Sequence, residues 1–328
     1  MKAIVRRRYG SPEVLRLEEI EKPAPKDDEV LIKVRAASLN AGDKYALRGQ
    51  PYVARGMLGL WKPKTMRLGS DFAGQVEAVG GNVTQFKPGD AVYGIRTGAF
   101  AEYVVKLEQT LAPKPANLSF EEAAAVPVAG ITALQGLRDK GGLKPGQTVL
   151  VNGASGGVGT FAVQVAKALG AHVTAVCGPR NVGLARSLGA DRVMDYSREN
   201  FTLGEERYDQ IFDNAGTYPL AACRRVLGPE GVLVVVGAPP VGGLLGPAAR
   251  LLQAVVLSQL GKKNIVTFIT AITKQDLLDM TALIEDGQVK PVIDKSYPLA
   301  ELPEAMRYQE EGHPRGKVVL RVAANDQP

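Results

Sequence analysis

The sequence predicts an α/β protein in two parts: a doubly wound parallel sheet with helices on both faces, and a second domain made mainly of β-strands. Three observations carry this. A glycine-rich turn, Gly153-Ala-Ser-Gly-Gly-Val-Gly159, stands between an apolar strand and an apolar helix. Strands and helices alternate from there to about residue 237, whereas residues 1–118 run as short strands punctuated by turns.

In chain order, residues 1–8, 15–20, 29–38, 71–79, 91–93 and 101–105 alternate or run apolar over strand lengths, and 82–90 turn at Pro88-Gly89. This reads as an all-β, partly open barrel. Residues 41–47 are expected to form a helical turn. Residues 52–68, with Trp61, have no assignable structure, and long irregular segments in compact domains are commonly functional loops or lids. Residues 121–138 read as a helix entered through Ser119 as N-cap, with Glu121 and Glu122 in its first turn.

Residues 148–152 follow as a buried strand, 153–157 as a tight turn, and 158–169 as a helix. Its apolar face is Val158, Ala162, Val165, Ala166 and Leu169, and residues 172–177 form the next strand. Strand, glycine turn, helix and strand within about 30 residues make the βαβ unit of a Rossmann fold, whose helix start offers free N–H groups to a pyrophosphate. The usual Gly-x-Gly-x-x-Gly fingerprint has Ala154 at its first position here and Gly156 and Gly159 at the others, with Ser155, Gly157 and Val158 completing the turn. The same atoms satisfy Gly-x-Ser-x-Gly, the nucleophile elbow of serine hydrolases. That alternative needs a histidine late in the chain, which only His313 supplies, and it leaves Gly159 without a role.

An enzyme for NAD usually carries an acid about 20 residues beyond the glycines to hold the ribose 2′-hydroxyl. Between Gly159 and Asp191 there is none; the second strand ends in Cys177-Gly178-Pro-Arg180-Asn181. Arg180 can pair with a 2′-phosphate, so NADPH is favoured, the alternative being a solvated loop charge. Helices at 183–188 and 218–227 and strands at 192–195, 208–214 and 231–237 continue the alternation. Ligands bind outside the carboxyl ends of such strands, which selects Asn214, Gly237 and Ala238. Beyond them come an apolar helix at 244–260, too short to span a membrane, a strand at 263–273 around Phe268, and a helix at 275–286. A strand at 292–298, a helix at 302–311 and a strand at 317–322 close the chain.

Composition narrows the function. A net charge of +6, from 40 basic and 34 acidic residues, without basic-aromatic interleaving, gives no nucleic-acid track; Arg6-Arg7-Arg8 and Lys62, Lys64 and Arg67 read as solvated surface. Two cysteines and two histidines do not readily build a zinc site or a disulfide framework. With a first strand at the amino terminus and no signal pattern, the expected location is cytoplasmic.

Several motifs carry a resemblance over nearly the whole length. They are Ala37-Ser-Leu-Asn40, Leu68-Gly-Ser-Asp-Phe-Ala-Gly74, Phe86-Lys-Pro-Gly-Asp90, Gly98-Ala-Phe-Ala-Glu-Tyr103, Gly130-Ile-Thr-Ala-Leu134, the glycine turn, and Gly312-His-Pro-Arg-Gly-Lys317. The chain resembles the medium-chain dehydrogenase/reductase superfamily, in particular its zinc-independent quinone oxidoreductase branch with reticulon-interacting oxidoreductase-like members. The resemblance implies a GroES-like catalytic domain from residues 1–118 and 267–328, a Rossmann domain at 119–266, and a cleft between them. Zinc-dependent relatives place a Cys in the Asn40-Ala-Gly-Asp43 segment and a His-Glu pair at Ser70-Asp71; those ligands are absent here.

The resemblance also implies NADPH-dependent reduction of a small molecule, a quinone or an α,β-unsaturated carbonyl, without a metal. By motif position, Thr132 approaches the nicotinamide, Ser155 to Gly159 the pyrophosphate, and Gly178, Arg180, Asn181 and Tyr196 the 2′-phosphate end. Asn214, Gly237 and Phe268 line the cofactor trough, and Lys317 reaches into it. Some relatives carry a Lys where this chain has Asn181. Asn40 contacts nicotinamide or substrate; Tyr45 and Tyr52 are candidate proton donors, with packing as their alternative role. A non-catalytic NADPH-binding or scaffold protein is the competing function, and the strand at 263–273 is expected to pair two copies into a homodimer.

Overall fold

The computed structural model describes residues 1–52, 55–237, 248–260, 265–311 and 314–322. They fold as two compact units, Met1–Ile131 with Ile272–Glu285 and Pro291–Pro328, and Thr132–Ala271 with Asp286–Lys290.

The first unit is built on a seven-stranded sheet. Its order is Ile293–Pro298, Lys317–Arg321, Glu29–Ser38, Asp71–Val79, Ala91–Ile95 and Ala112–Pro113, with Tyr103–Leu107 also on Glu29–Ser38. All pairs are antiparallel except the first. Alternation drives this: Val30, Ile32 and Val34 turn inward onto Phe72, Val76, Val92, Phe100 and Leu111 in one apolar core. Lys2–Val5 and Arg16–Glu19 form a separate ribbon. Register decides what meets at the sheet's end. Val319 lies opposite Ser38, and Ser38 opposite Asp71, so Lys317, Asn40 and Asp71 converge at one end of three neighbouring strands.

The second unit holds a six-stranded parallel sheet, ordered Arg192–Asp195, His172–Cys177, Thr148–Asn152, Tyr208–Asp213, Leu227–Val235 and Ile265–Thr267. Numbered along the chain this is 3-2-1-4-5-6, the doubly wound order, and its switch point falls between Thr148–Asn152 and Tyr208–Asp213. The central strands Thr148–Asn152, His172–Cys177 and Tyr208–Asp213 are buried at all but one position each, as a sheet covered on both faces requires.

Two expectations are corrected. The single helix at 121–138 is instead Phe120–Ala124, then Pro127–Leu134, then a π-helical segment Gln135–Lys140. Pro127 has no N–H and restricts the residue before it, so it opens a new helix. The strand at 263–273 is only Ile265–Thr267 among the described residues. Phe120–Ala124 packs on Glu29–Ser38 and Asp71–Val79 within the first compact unit.

Candidate active site

The turn after Thr148–Asn152 shows what each glycine is for. Gly153 has φ +85°, a conformation that L side chains rarely adopt. A Cβ on Gly159 would sit 2.0 Å from the Gly153 carbonyl oxygen, so this glycine lets the helix Gly157–Ala168 lie against the turn. Gly156, the N-cap of that helix, differs: a Cβ there would meet nothing nearer than 3.8 Å. The protein's own packing does not demand a glycine at 156. The helix starts there with the N–H groups of Gly156, Gly157 and Val158, the kind of site at which a helix start can hold an anion.

The far end of this turn is held by Asn181, whose Nδ2 donates to Ser155 Oγ at 3.0 Å. The Asn181 side chain is buried and its Oδ1 has no partner. Ser155 thus accepts from an amide that cannot take its proton, and His172 is exposed at the start of its strand; His313 lies outside the described residues. Arg180 sits on the 3-10 turn Pro179–Asn181, exposed, and among the described residues no carboxylate pairs with it. A side chain on Gly178 would come within 3.0 Å of Tyr196 Oη, so Gly178 gives Tyr196 its place across the end of the strand. The unit therefore brings Ser155, Gly178, Arg180, Asn181 and Tyr196 together at one corner, and the group fits a phosphorylated dinucleotide.

At the neighbouring strand end, a Cβ on Gly237 would lie 1.7 Å from the Asn214 carbonyl oxygen, which ties the two together. Beneath them Asp213 accepts from Asn152 Nδ2 at 2.8 Å and from the Gly216 N–H at 2.9 Å, and pairs with Arg250. Ala238 lies outside the described residues. Thr132 Oγ1 and Thr270 Oγ1 share a hydrogen bond of 2.8 Å, and Phe268 packs over Gly136.

In the first unit the converging strand ends hold a polar cluster. Lys317 is buried, and Nζ donates to Leu39 O at 2.9 Å, Asn40 Oδ1 at 2.6 Å and Asp71 Oδ2 at 3.2 Å. Those three bonds use every ammonium hydrogen. Asp71 Oδ2 also accepts from Ser38 Oγ and Asn40 Nδ2, each at 2.9 Å. Its Oδ1 accepts from the Val128 N–H at 3.1 Å, at the start of the helix Pro127–Leu134, where a negative charge is favoured. The Asn40 amide is thereby fixed in orientation: oxygen toward the ammonium, nitrogen toward the carboxylate.

These arrangements match known proteins. Residues 26–116 fit the family described as alcohol dehydrogenase GroES-like domain, and residues 188–320 the one described as zinc-binding dehydrogenase. The chloroplast envelope quinone oxidoreductase homolog of Arabidopsis thaliana is 35% identical, over 92% of this chain and 92% of that one. The bovine (Bos taurus) protein NAD(P)H oxidoreductase RTN4IP1, mitochondrial, is 36% identical over 98% of this chain and 89% of that one.

The chain belongs to the medium-chain dehydrogenase/reductase superfamily.

Among solved structures of this superfamily, the quinone oxidoreductase of Coxiella burnetii superposes with a TM-score of 0.86 at 31% identity, covering 98% of this chain and 99% of that one. The Escherichia coli quinone oxidoreductase complexed with NADPH gives 0.81 at 26%, covering 98% and 100%. The fold is the superfamily's GroES-like domain with a Rossmann domain, and the relatives make this chain an oxidoreductase using a nicotinamide cofactor.

Against that background the two tyrosines separate. Tyr45, on the helix Ala41–Arg48, is half-buried, and burial pushes its hydroxyl above the usual phenol range. Tyr52 is exposed, with the Arg55 guanidinium 4.8 Å from its ring centre. Among the described residues the Asn40 side chain bonds to Asp71 and Lys317 and to neither tyrosine. Lys317, expected to reach the cofactor, has its ammonium bonded to Leu39 O, Asn40 and Asp71. Asp43 went unnoticed in the sequence. It is buried, its Oδ2 accepts the Asn40 N–H at 2.7 Å, and burial first, then Asp71, raise its carboxyl pKa to about 7. The signal was there: Asn40-x-x-Asp43 has capping-box spacing before a helix.

Proposed function

We propose that this oxidoreductase reduces quinones or α,β-unsaturated carbonyls with NADPH and without zinc. The observation that carries it is the turn at Gly156, which leaves space that the fold does not use, beside Arg180, unpaired among the described residues, and the unpartnered buried oxygen of Asn181. When bound, the cofactor supplies the hydride. Gly156, Gly157 and Val158 would hold its pyrophosphate, Arg180 and Tyr196 its 2′-phosphate, and Thr132, Asn214, Gly237 and Phe268 its nicotinamide half. Solved relatives include one complexed with NADPH and one named NAD-dependent alcohol dehydrogenase, so the choice of NADPH rests on Arg180.

The Asn40 amide, clamped by Lys317 and Asp71, has one N–H left to donate to a substrate oxygen on which negative charge develops, a role preorganised donors fill at low cost. Zinc independence is supported by the cluster's chemistry: the cation beside Asp71 is the chain's own ammonium, 3.2 Å away. Tyr45, whose hydroxyl burial keeps protonated at neutral pH, and Tyr52 are both proposed as donors of a proton to a product anion. We assign a homodimer through the outer edge of Ile265–Thr267, which ends the parallel sheet among the described residues, and a cytoplasmic, reducing setting consistent with the unpaired Cys177 and Cys223.

The test is steady-state oxidation of NADPH and NADH against quinones, enals and saturated aldehydes with a chelator present. The reading expects turnover of quinones or enals with NADPH, unaffected by chelation. No turnover with any of them, despite cofactor binding, would leave a non-catalytic binding protein.

A further inference from the structure

The segment from 44 to 70 stands apart from the rest of the chain in charge. It contains Lys44, Arg48, Arg55, Lys62, Lys64 and Arg67 and no Asp or Glu, an excess of six positive charges, as large as that of the whole protein. Elsewhere basic and acidic residues therefore balance.

Its tip is built, not loose. Gly59 has φ +114°, and a Cβ there would meet Lys62 O at 2.0 Å, so the chain folds back sharply over 59–62. Tyr9 Oη donates to Gly59 O at 2.8 Å, Pro63 is buried, and the Arg6 N–H donates to Met66 O at 2.8 Å. These anchors force the residues between them outward. Leu60 is 60% exposed, Trp61 88% and Met66 53%, and Lys62 and Lys64 are exposed with no carboxylate partner among the described residues. Nothing in the fold is gained by displaying an indole this way, since an exposed tryptophan forfeits its large apolar contact area.

From this we infer that the Leu60-Trp61 tip is a docking device for the surface of an anionic lipid bilayer. Consecutive leucine and tryptophan enter the interfacial layer, where an indole's apolar body and polar N–H are both satisfied. Lys62 and Lys64 stay at phosphate level on their flexible stems. The bilayer fits because it offers apolar depth and negative charge side by side over the few ångströms that separate Trp61 from its neighbouring lysines. The contact is peripheral: among the described residues no helix is long and apolar enough to cross a membrane. It is independent of the reaction proposed above.

Trp61 is the chain's single tryptophan, so emission excited beyond the tyrosine absorption band reports on this tip alone. The protein is titrated with phosphatidylcholine vesicles with and without phosphatidylglycerol, at low and high salt, and with soluble polyglutamate. The expected result is a blue shift with anionic vesicles only, reversed by salt. Each lysine near such a surface is worth roughly fivefold in partitioning, so K62A/K64A is expected to weaken vesicle binding roughly 25-fold, with unchanged thermal unfolding. W61A is expected to lose vesicle co-sedimentation. The inference is overturned by unchanged emission at saturating anionic lipid, by an equal shift with polyglutamate, by a shift that depends on protein concentration without lipid, or by W61A sedimenting like the wild type.

Discussion

Replacing Lys317 by methionine tests whether the buried ammonium fixes Asn40 or serves the cofactor. The side chain is buried and all three hydrogens are spent on Leu39 O, Asn40 Oδ1 and Asp71 Oδ2. In K317M the Asp71 carboxylate, fully buried, keeps Ser38, Asn40 and the Val128 N–H but loses the one cation that contacts it among the described residues. Breaking one side of a buried pair costs about 3–5 kcal/mol, and three surviving donors put this case at about 3 kcal/mol. For a unit of this size that is a fall in Tm of roughly 6–12 °C. D71N/K317M removes both charges, leaves an acceptor for Ser38, and should recover at least half of the loss, a coupling that a double-mutant cycle reads directly. In activity, K317M should lower kcat for a quinone about tenfold while NADPH affinity stays within about twofold, since only Asn40 has lost its support. Additive single and double variants, or a loss of NADPH affinity with kcat preserved, would refute this.

Asp43 predicts a pH dependence. Its folded pKa of about 7 lies above the ordinary 3.8, so the native state binds this proton more tightly than the unfolded chain. Stability from this group is complete below about pH 4 and is lost as pH rises to about 7, on the order of 4 kcal/mol in all. D43N, which keeps an acceptor for the Asn40 N–H, should exceed wild-type Tm by a margin that grows from pH 5 to pH 8; a margin that does not change with pH would contradict this. In the glycine turn, G159A should destabilise the fold by about 2 kcal/mol or more, because its Cβ overlaps the Gly153 carbonyl, as thermal unfolding will show. G156A should unfold like wild type yet bind NADPH at least tenfold more weakly by fluorescence titration, because only the ligand needs that space.

Much of the fold was legible because short-range rules decide it. Thr148–Asn152, His172–Cys177 and Glu29–Ser38 are apolar or alternating runs with turn residues at their ends, and the glycine turn announces the unit between the first two. The helix break at Pro127 was legible and overlooked; proline chemistry alone predicts it. The strand at Ile265–Thr267 is shorter than its β-rich composition indicated, because residues 268–273 direct Thr270 and the Ala271 carbonyl to Thr132 and Gln135 instead of to a neighbouring strand. The polar cluster was out of reach for a different reason. Lys317 and Asn40 are 277 residues apart, and only the register of three strands makes them neighbours. Asp71 still carried a hint: an acid directly before Phe72, Ala73 and Gly74, which are all buried with it, has to find a partner.

The corner of Ser155, Gly156, Arg180 and Asn181 is proposed to hold a dinucleotide with a 2′-phosphate. Isothermal titration of the wild type and R180A with NADPH and with NADH tests it most directly. The wild type should bind NADPH at least tenfold more tightly than NADH, and R180A should lose most of that preference by weakening NADPH alone, the loss of one charge-assisted pair worth about 1.5–3 kcal/mol. No heat with either nucleotide, or a preference that survives in R180A, would contradict it.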